Sequence, residues 1–213
     1  MVMFDIWGKC GAMRVDNGEP LGSPQHNTTS ALALWLIGID IDMIFNKPRT
    51  PQANAKVERM QDISARWADL YKAPNIKQLQ NNLDTEALFQ RTLFPVSRLK
   101  NQTRIALFPE LETSKRIFDK HFFDEKRVYE YLAKKIYVRV ISTTGQIAHF
   151  GQRVSIGLKY KHQAVEIKLD TIKMVWAVYL KGEIIKELKT ANLSKEYLQN
   201  LTVYVKELKN AKT

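Results

Sequence analysis

The apolar residues of this chain change their spacing once, near Lys135, and that change limits what the chain can fold into. Before it, strand and helix signals alternate. Ala12–Asp16 (AMRVD) reads as a short strand closed by the Asn17-Gly18 turn. Residues 30–39 read as an apolar helix with Ser30 as N-cap, and residues 41–45 as a short buried strand. Lys47–Gln52 (KPRTPQ) holds two prolines and is a loop. Met60, Ile63, Trp67, Leu70 and Tyr71 recur at helical spacing within residues 53–71, Pro74 breaks the pattern, and a second helix is predicted over residues 76–91. After Lys135 come six short β-branched segments: IYVRVIS, QIAHF, RVSIG, AVEIKL, MVWAVYL and EIIKEL. Turn signals at Thr144-Gly145, Gly157, Asp170 and Gly182 separate them, which predicts a small antiparallel barrel or sandwich. A polar helix over residues 194–209, capped by Ser194, closes the chain. The expected fold class is therefore α/β followed by a small β domain. The expected division is residues 1–94, a connector over 95–130, and a basic domain over 131–213.

Charge is distributed unevenly. Residues 1–100 carry 12 Lys/Arg against 10 Asp/Glu, whereas residues 101–213 carry 21 against 12. Nearly all of the formal +11 thus lies in the second half, as suits a polyanionic partner or a well-solvated lysine-rich surface. The single cysteine, Cys10, excludes an internal disulfide and fits a cytoplasmic setting. No run of 18 apolar residues occurs, and MVMFDIWGKC lacks the basic start of a secretory leader, so neither a membrane span nor a leader is expected.

Two acids stand out by position. Asp16 ends a strand, where open α/β sheets place ligands, and Glu58 lies in the first turns of the helix after the proline loop. Such a pair suits a hard divalent cation and phosphodiester chemistry. Each also has an ordinary explanation, Asp16 as a turn former before Asn-Gly and Glu58 as an acid at a helix N-terminus.

The strings RVDNG (14–18), LALWLIGIDI (32–41) and PRTPQANAKVERM (48–60) resemble the integrase catalytic core shared by bacterial insertion-sequence transposases and retroviral integrases, the RNase H-like DDE superfamily. Asp16 matches its second catalytic acid in the strand-end DNG, and Glu58 its third, in P-x-x-N-x-x-x-E-R with Asn54 one turn earlier. Trp7-Gly8 resembles the WG pair that precedes the second acid's strand, and Ala55 stands where many members carry glycine. GQIAHFGQRVSIGLKYKHQAVEIKLD (145–170) is similar to the small β-barrel that follows the core in one insertion-sequence branch and in the Mu transposase. The resemblance implies DNA strand cleavage and transfer with Mg²⁺ or Mn²⁺ held by three carboxylates. Only 15 residues precede Asp16, and Asp5 is not in a position for the first acid. The implied protein is N-terminally truncated and inactive alone, with Asp16 and Glu58 as its catalytic and metal residues.

The implied partner is DNA, both element ends and target, with a homo-oligomer or a mixed oligomer with full-length transposase as a further expectation. A bacterial, nucleoid-associated location follows. Alternatives are a non-catalytic DNA-binding fragment that regulates a full-length transposase, or a decayed gene product. Asn54, Lys56, Arg59 and Arg66 surround Glu58 on its helix; the resemblance implies that this helix meets DNA, and ordinary solvated charge is the alternative for Lys56, Arg59 and Arg66. In the second half, Arg139, Arg153, Lys159, Lys161 and Lys168 are interleaved with Tyr137, Phe150 and Tyr160, a pattern that suits phosphate contact and base stacking but equally an aromatic core. Trp35 and Trp67 are expected in the core, His26 in a solvated loop, and Asp40 and Asp42 on a turn or exposed face.

Overall fold

A computed structural model describes residues 4, 8–22, 28–47, 49–50, 52, 54–69, 71–113, 116–119, 121–190 and 193–199. The chain forms two compact units, each discontinuous in sequence: residues 1–10 with 46–118, and residues 11–45 with 119–213.

The second unit opens with β1 (Ala12–Val15), α1 (Ala31–Gly38) and β2 (Asp42–Phe45). β1 and β2 pair in parallel, Ala12 opposite Asp42 and Val15 opposite Phe45, so α1 is the crossover that a parallel pair requires. Ser30 caps α1 as its position predicts, its hydroxyl accepting from the Ala33 N–H at 3.1 Å. The helix is apolar all round and residues 33–38 are buried, because it packs against both β2 and a later helix, α5 (Glu125–Ala133). Gly38 ends α1 under the ring of Phe123, which lies 2.2 Å from where a Cβ would sit, so only glycine admits that ring. Asp40 turns the chain at φ 67, a conformation that Asp tolerates better than most residues. Arg127 of α5 then joins the Asp40 carboxylate at 3.0 Å and the Asp42 carboxylate at 2.9 Å. Asp40 thus stands at a turn and Asp42 on an exposed face, as expected of them, both tied to α5.

α5 was not legible as an element within the mixed stretch of residues 95–130. Its signals are an Asp124 N-cap, which accepts from the Lys126 N–H at 2.9 Å, and an i, i+4 apolar pair, Val128 and Leu132, both fully buried.

All six β segments form strands: β3 (Tyr137–Val140), β4 (Gln146–His149), β5 (Gln152–Ser155), β6 (Ala164–Asp170), β7 (Val175–Leu180) and β8 (Glu183–Lys189). They make an antiparallel sheet in the order β3-β6-β7-β8 and a separate β4–β5 hairpin. Val165, Ile167, Trp176 and Val178 alternate into the core with Tyr137 and Ile141. Each fully buried aliphatic side chain contributes roughly 1.5–3 kcal/mol. The closing helix α6 (Lys195–Gln199) begins as predicted, with the Ser194 hydroxyl accepting from the Tyr197 N–H at 3.2 Å; its predicted continuation to residue 209 lies outside the described residues.

The first unit is helical among its described residues: α2 (Ala55–Trp67), α3 (Ile76–Thr92) and the short α4 (Arg104–Leu107), with single 3₁₀ turns at Ser97–Leu99 and Pro109–Leu111. Asn75 caps α3 by accepting from the Gln78 N–H at 2.9 Å. One expectation fails here. Trp35 is core, but Trp67 is 44% exposed and packs edge-on against Phe89 and Phe94. Within its unit α2 touches little besides α3, and none of its residues is buried. No described helix is long and apolar enough to cross a membrane.

Candidate nucleic-acid interface

Asp16 follows β1 directly and is exposed. Its Oδ1 accepts from the Gly18 N–H at 3.0 Å, so it forms the turn that Asn17-Gly18 announces. Glu58 sits exposed in the first turn of α2, its backbone N–H donating to the Asn54 carbonyl at 3.0 Å. The Asn54 side chain does not cap α2; its carbonyl accepts from the buried Asn46 amide at 2.6 Å. Asp16 belongs to the second unit and Glu58 to the first. Among the described residues no group of three or more His, Cys, Asp or Glu side chains comes together. The resemblance implies a third carboxylate beside Asp16 and Glu58, and none is identified among the described residues. Asp5, Trp7 and His26 lie outside the described residues.

The basic residues sort by how they are engaged. On α2, Lys56, Arg59 and Arg66 are exposed, but Arg66 meets Asp62 at 2.9 Å and Arg59 approaches the same carboxylate at 3.8 Å. In the second unit, Lys168 pairs with Glu166 at 2.9 Å and lies over the Tyr179 ring. Lys159 is exposed with its Nζ 4.7 Å from the Tyr160 ring centroid, and Lys161 is exposed two residues on. Arg139 donates through Nε to the Ala148 carbonyl at 3.1 Å and through Nη1 to the Val138 carbonyl at 2.8 Å. Arg153 stands directly across the hairpin from Ala148 and has no ion-pair or hydrogen-bond partner among the described residues. Two guanidinium-bearing residues therefore flank one residue of β4.

Between β3 and the hairpin lies an open cleft of about 590 Å³. Its apolar wall includes Val138 and Val140 of the edge strand, 54% and 64% exposed. The aromatic residues are mostly internal: Tyr137 is core and His149 is 4% exposed, its ring 4.6 Å from Trp176 and 5.3 Å from Tyr137. Phe150 is half-buried and stacks on Trp176 with centroids 5.1 Å apart. Burial pushes the Tyr137 hydroxyl up to about 12. Burial, with the Arg139 charge as a smaller cause, holds His149 down to about 3. His149 has one signal in the sequence, the alternation of QIAHF, which puts position 149 on the same inward face as Ile147.

No protein-family model and no curated protein sequence matches the chain.

The depressed His149 has a measurable consequence. In the unfolded chain the imidazole takes up a proton near its ordinary value of 6.5, whereas in the folded chain it resists until about 3. Stability is therefore complete above pH 6.5 and is lost as pH falls toward 3, with a limiting slope of ~1.4 kcal/mol per pH unit. Urea denaturation between about pH 7 and 5 should show this loss, and His149→Phe should flatten it over that window. Equal slopes in the two proteins would show that His149 titrates normally.

Proposed function

We propose that this chain is part of a DNA integration or transposition protein of the RNase H-like DDE type, and that its 213 residues bind DNA rather than cut it. The observation that carries the reading is the β1–α1–β2 crossover with Asp16 just beyond the carboxyl end of β1, the setting that the resemblance calls for around its second acid. In this reading β1, α1, β2 and the Glu58 helix are pieces of an RNase H-like core, and β3 to β8 are the small barrel that follows it. DNA is then the partner and the nucleoid the location. A separate observation favours a regulatory form of the same reading, in which the chain competes for DNA or joins oligomers of a complete transposase. The carboxylate set is incomplete among the described residues, while the positive charge is concentrated in the second half.

The test has two arms. Incubated with Mg²⁺ or Mn²⁺ and duplex oligonucleotides, the chain is expected to form no strand-transfer product above background. Robust product that Glu58→Gln abolishes would overturn the non-catalytic part. In the second arm the chain should retard duplex DNA at low salt, and failure to bind any duplex would remove DNA as the partner.

A further inference from the structure

We infer that the cleft between β3 and the β4–β5 hairpin holds one unstacked nucleotide of a DNA strand, with its base against the apolar wall and its phosphate on Arg153. The inference rests on the DNA-binding reading and adds a defined pocket to it. Four observations point to a ligand of this kind.

The first is size and lining. A volume of about 590 Å³ lies within the ordinary range of small-ligand sites, and the walls combine Val138 and Val140 with Arg139, Arg153 and Gln152. An apolar face beside two cations suits a flat heteroaromatic group that carries an anion. Exposed valines on an edge strand are otherwise a liability.

The second is His149. It lines the cleft, is 4% exposed, and neither imidazole nitrogen has a hydrogen-bond partner among the described residues. An unsatisfied buried polar atom costs about 1–3 kcal/mol, and such atoms in a folded protein call for an explanation. Both nitrogens are enclosed, so the ring must turn toward the cleft before a base edge can answer its one donor and one acceptor.

The third is the hairpin turn. Phe150 and Gly151 both have positive φ, 45 and 74, as a two-residue turn of the I′ kind requires. Glycine adopts this freely; phenylalanine does not. Phe150 is held there by its stack on Trp176, and both turn residues line the cleft. Strain of this kind is kept where the surrounding structure enforces it, and it concentrates at ligand-binding positions.

The fourth is charge. Arg153 is exposed, has no acidic partner among the described residues, and sits beside the strand whose carbonyl Arg139 holds. A phosphate there meets an uncompensated cation.

Fluorescence anisotropy with the full chain tests this. The probes are a labelled blunt duplex and the same duplex with a three-nucleotide single-stranded overhang. The overhang duplex should bind about tenfold tighter, as one stacked and hydrogen-bonded base predicts. His149→Phe, which keeps a ring in the core and removes both nitrogens, should bring the two affinities to within about twofold, while His149→Gln should restore part of the preference. Val138→Glu, at an exposed position, should abolish the preference independently of any effect on the core. Equal binding of both duplexes by the unaltered chain would overturn the pocket and leave the DNA reading standing. A preference that survives both His149→Phe and Val138→Glu would also overturn it. Binding to neither duplex would overturn the DNA reading and the pocket together.

Discussion

Trp176→Ala is expected to lower the unfolding free energy of the second unit by about 3–5 kcal/mol, the range for deleting a large buried aromatic side chain. Trp176 is 3% exposed on β7, an interior strand of the four-stranded sheet. Its ring meets three others: Phe150 stacked at 5.1 Å, Tyr137 edge-on at 5.7 Å and His149 edge-on at 4.6 Å. Removing it leaves a cavity that strands hydrogen-bonded on both sides cannot collapse to fill, and it also removes the support that keeps Phe150 in its left-handed turn. Against a typical domain stability of about 5–15 kcal/mol, the change leaves the unit marginal at 37 °C. Urea denaturation followed by near-ultraviolet circular dichroism measures it. A loss below about 1 kcal/mol would mean that the ring cluster is not the centre of this core. Trp67→Ala is the contrast. That ring is 44% exposed and touches only Phe89 and Phe94 among aromatic residues described, so a loss of about 1 kcal/mol is expected.

The second large effect is on DNA affinity as salt is raised. Arg153, Lys159 and Lys161 are exposed cations of the second unit without an ion-pair partner among the described residues. If each neutralises one phosphate of a duplex, the three together contribute a slope of about −2.7 in the log–log dependence of affinity on salt. Affinity from these contacts alone then falls roughly 40-fold between about 50 and 200 mM salt. Replacing all three by glutamine should flatten the slope by that amount, with little change in the melting transition because the positions are exposed. A triple variant with an unchanged slope would move the interface elsewhere. Arg66→Gln should matter much less, since Arg66 already shares the Asp62 carboxylate with Arg59.

Much of the local structure could be read from residue order. The serine caps at Ser30 and Ser194 make the predicted hydrogen bonds, and Asp16 turns the chain before Asn17-Gly18. Each β-branched segment after Lys135 became a strand, and the parallel pairing of β1 with β2 follows from a strand–helix–strand order. Of the candidate site, exposure is all that residue order could state: Arg153, Lys159 and Lys161 are exposed, while Tyr137 is core and Asn54 is turned toward Asn46. His149 was missed because one histidine in a strand carries no signal of its own until the facing residues are known.

Residue order by itself therefore determined the caps, the turns, the strand positions and the uneven charge, because each depends on backbone geometry or side-chain chemistry within a few residues. The tertiary structure alone decided which apolar faces are covered. Residues 11–45 join residues 119–213 in one compact unit, so α1 is buried by α5, a helix about 90 positions away along the chain. The helical face that includes Trp67 has the same local pattern as a core helix, yet its unit leaves it open. Amphipathic spacing states that a face is apolar; burial depends on what the rest of the chain places against it, and those contacts are separated too widely in sequence for local pattern to encode.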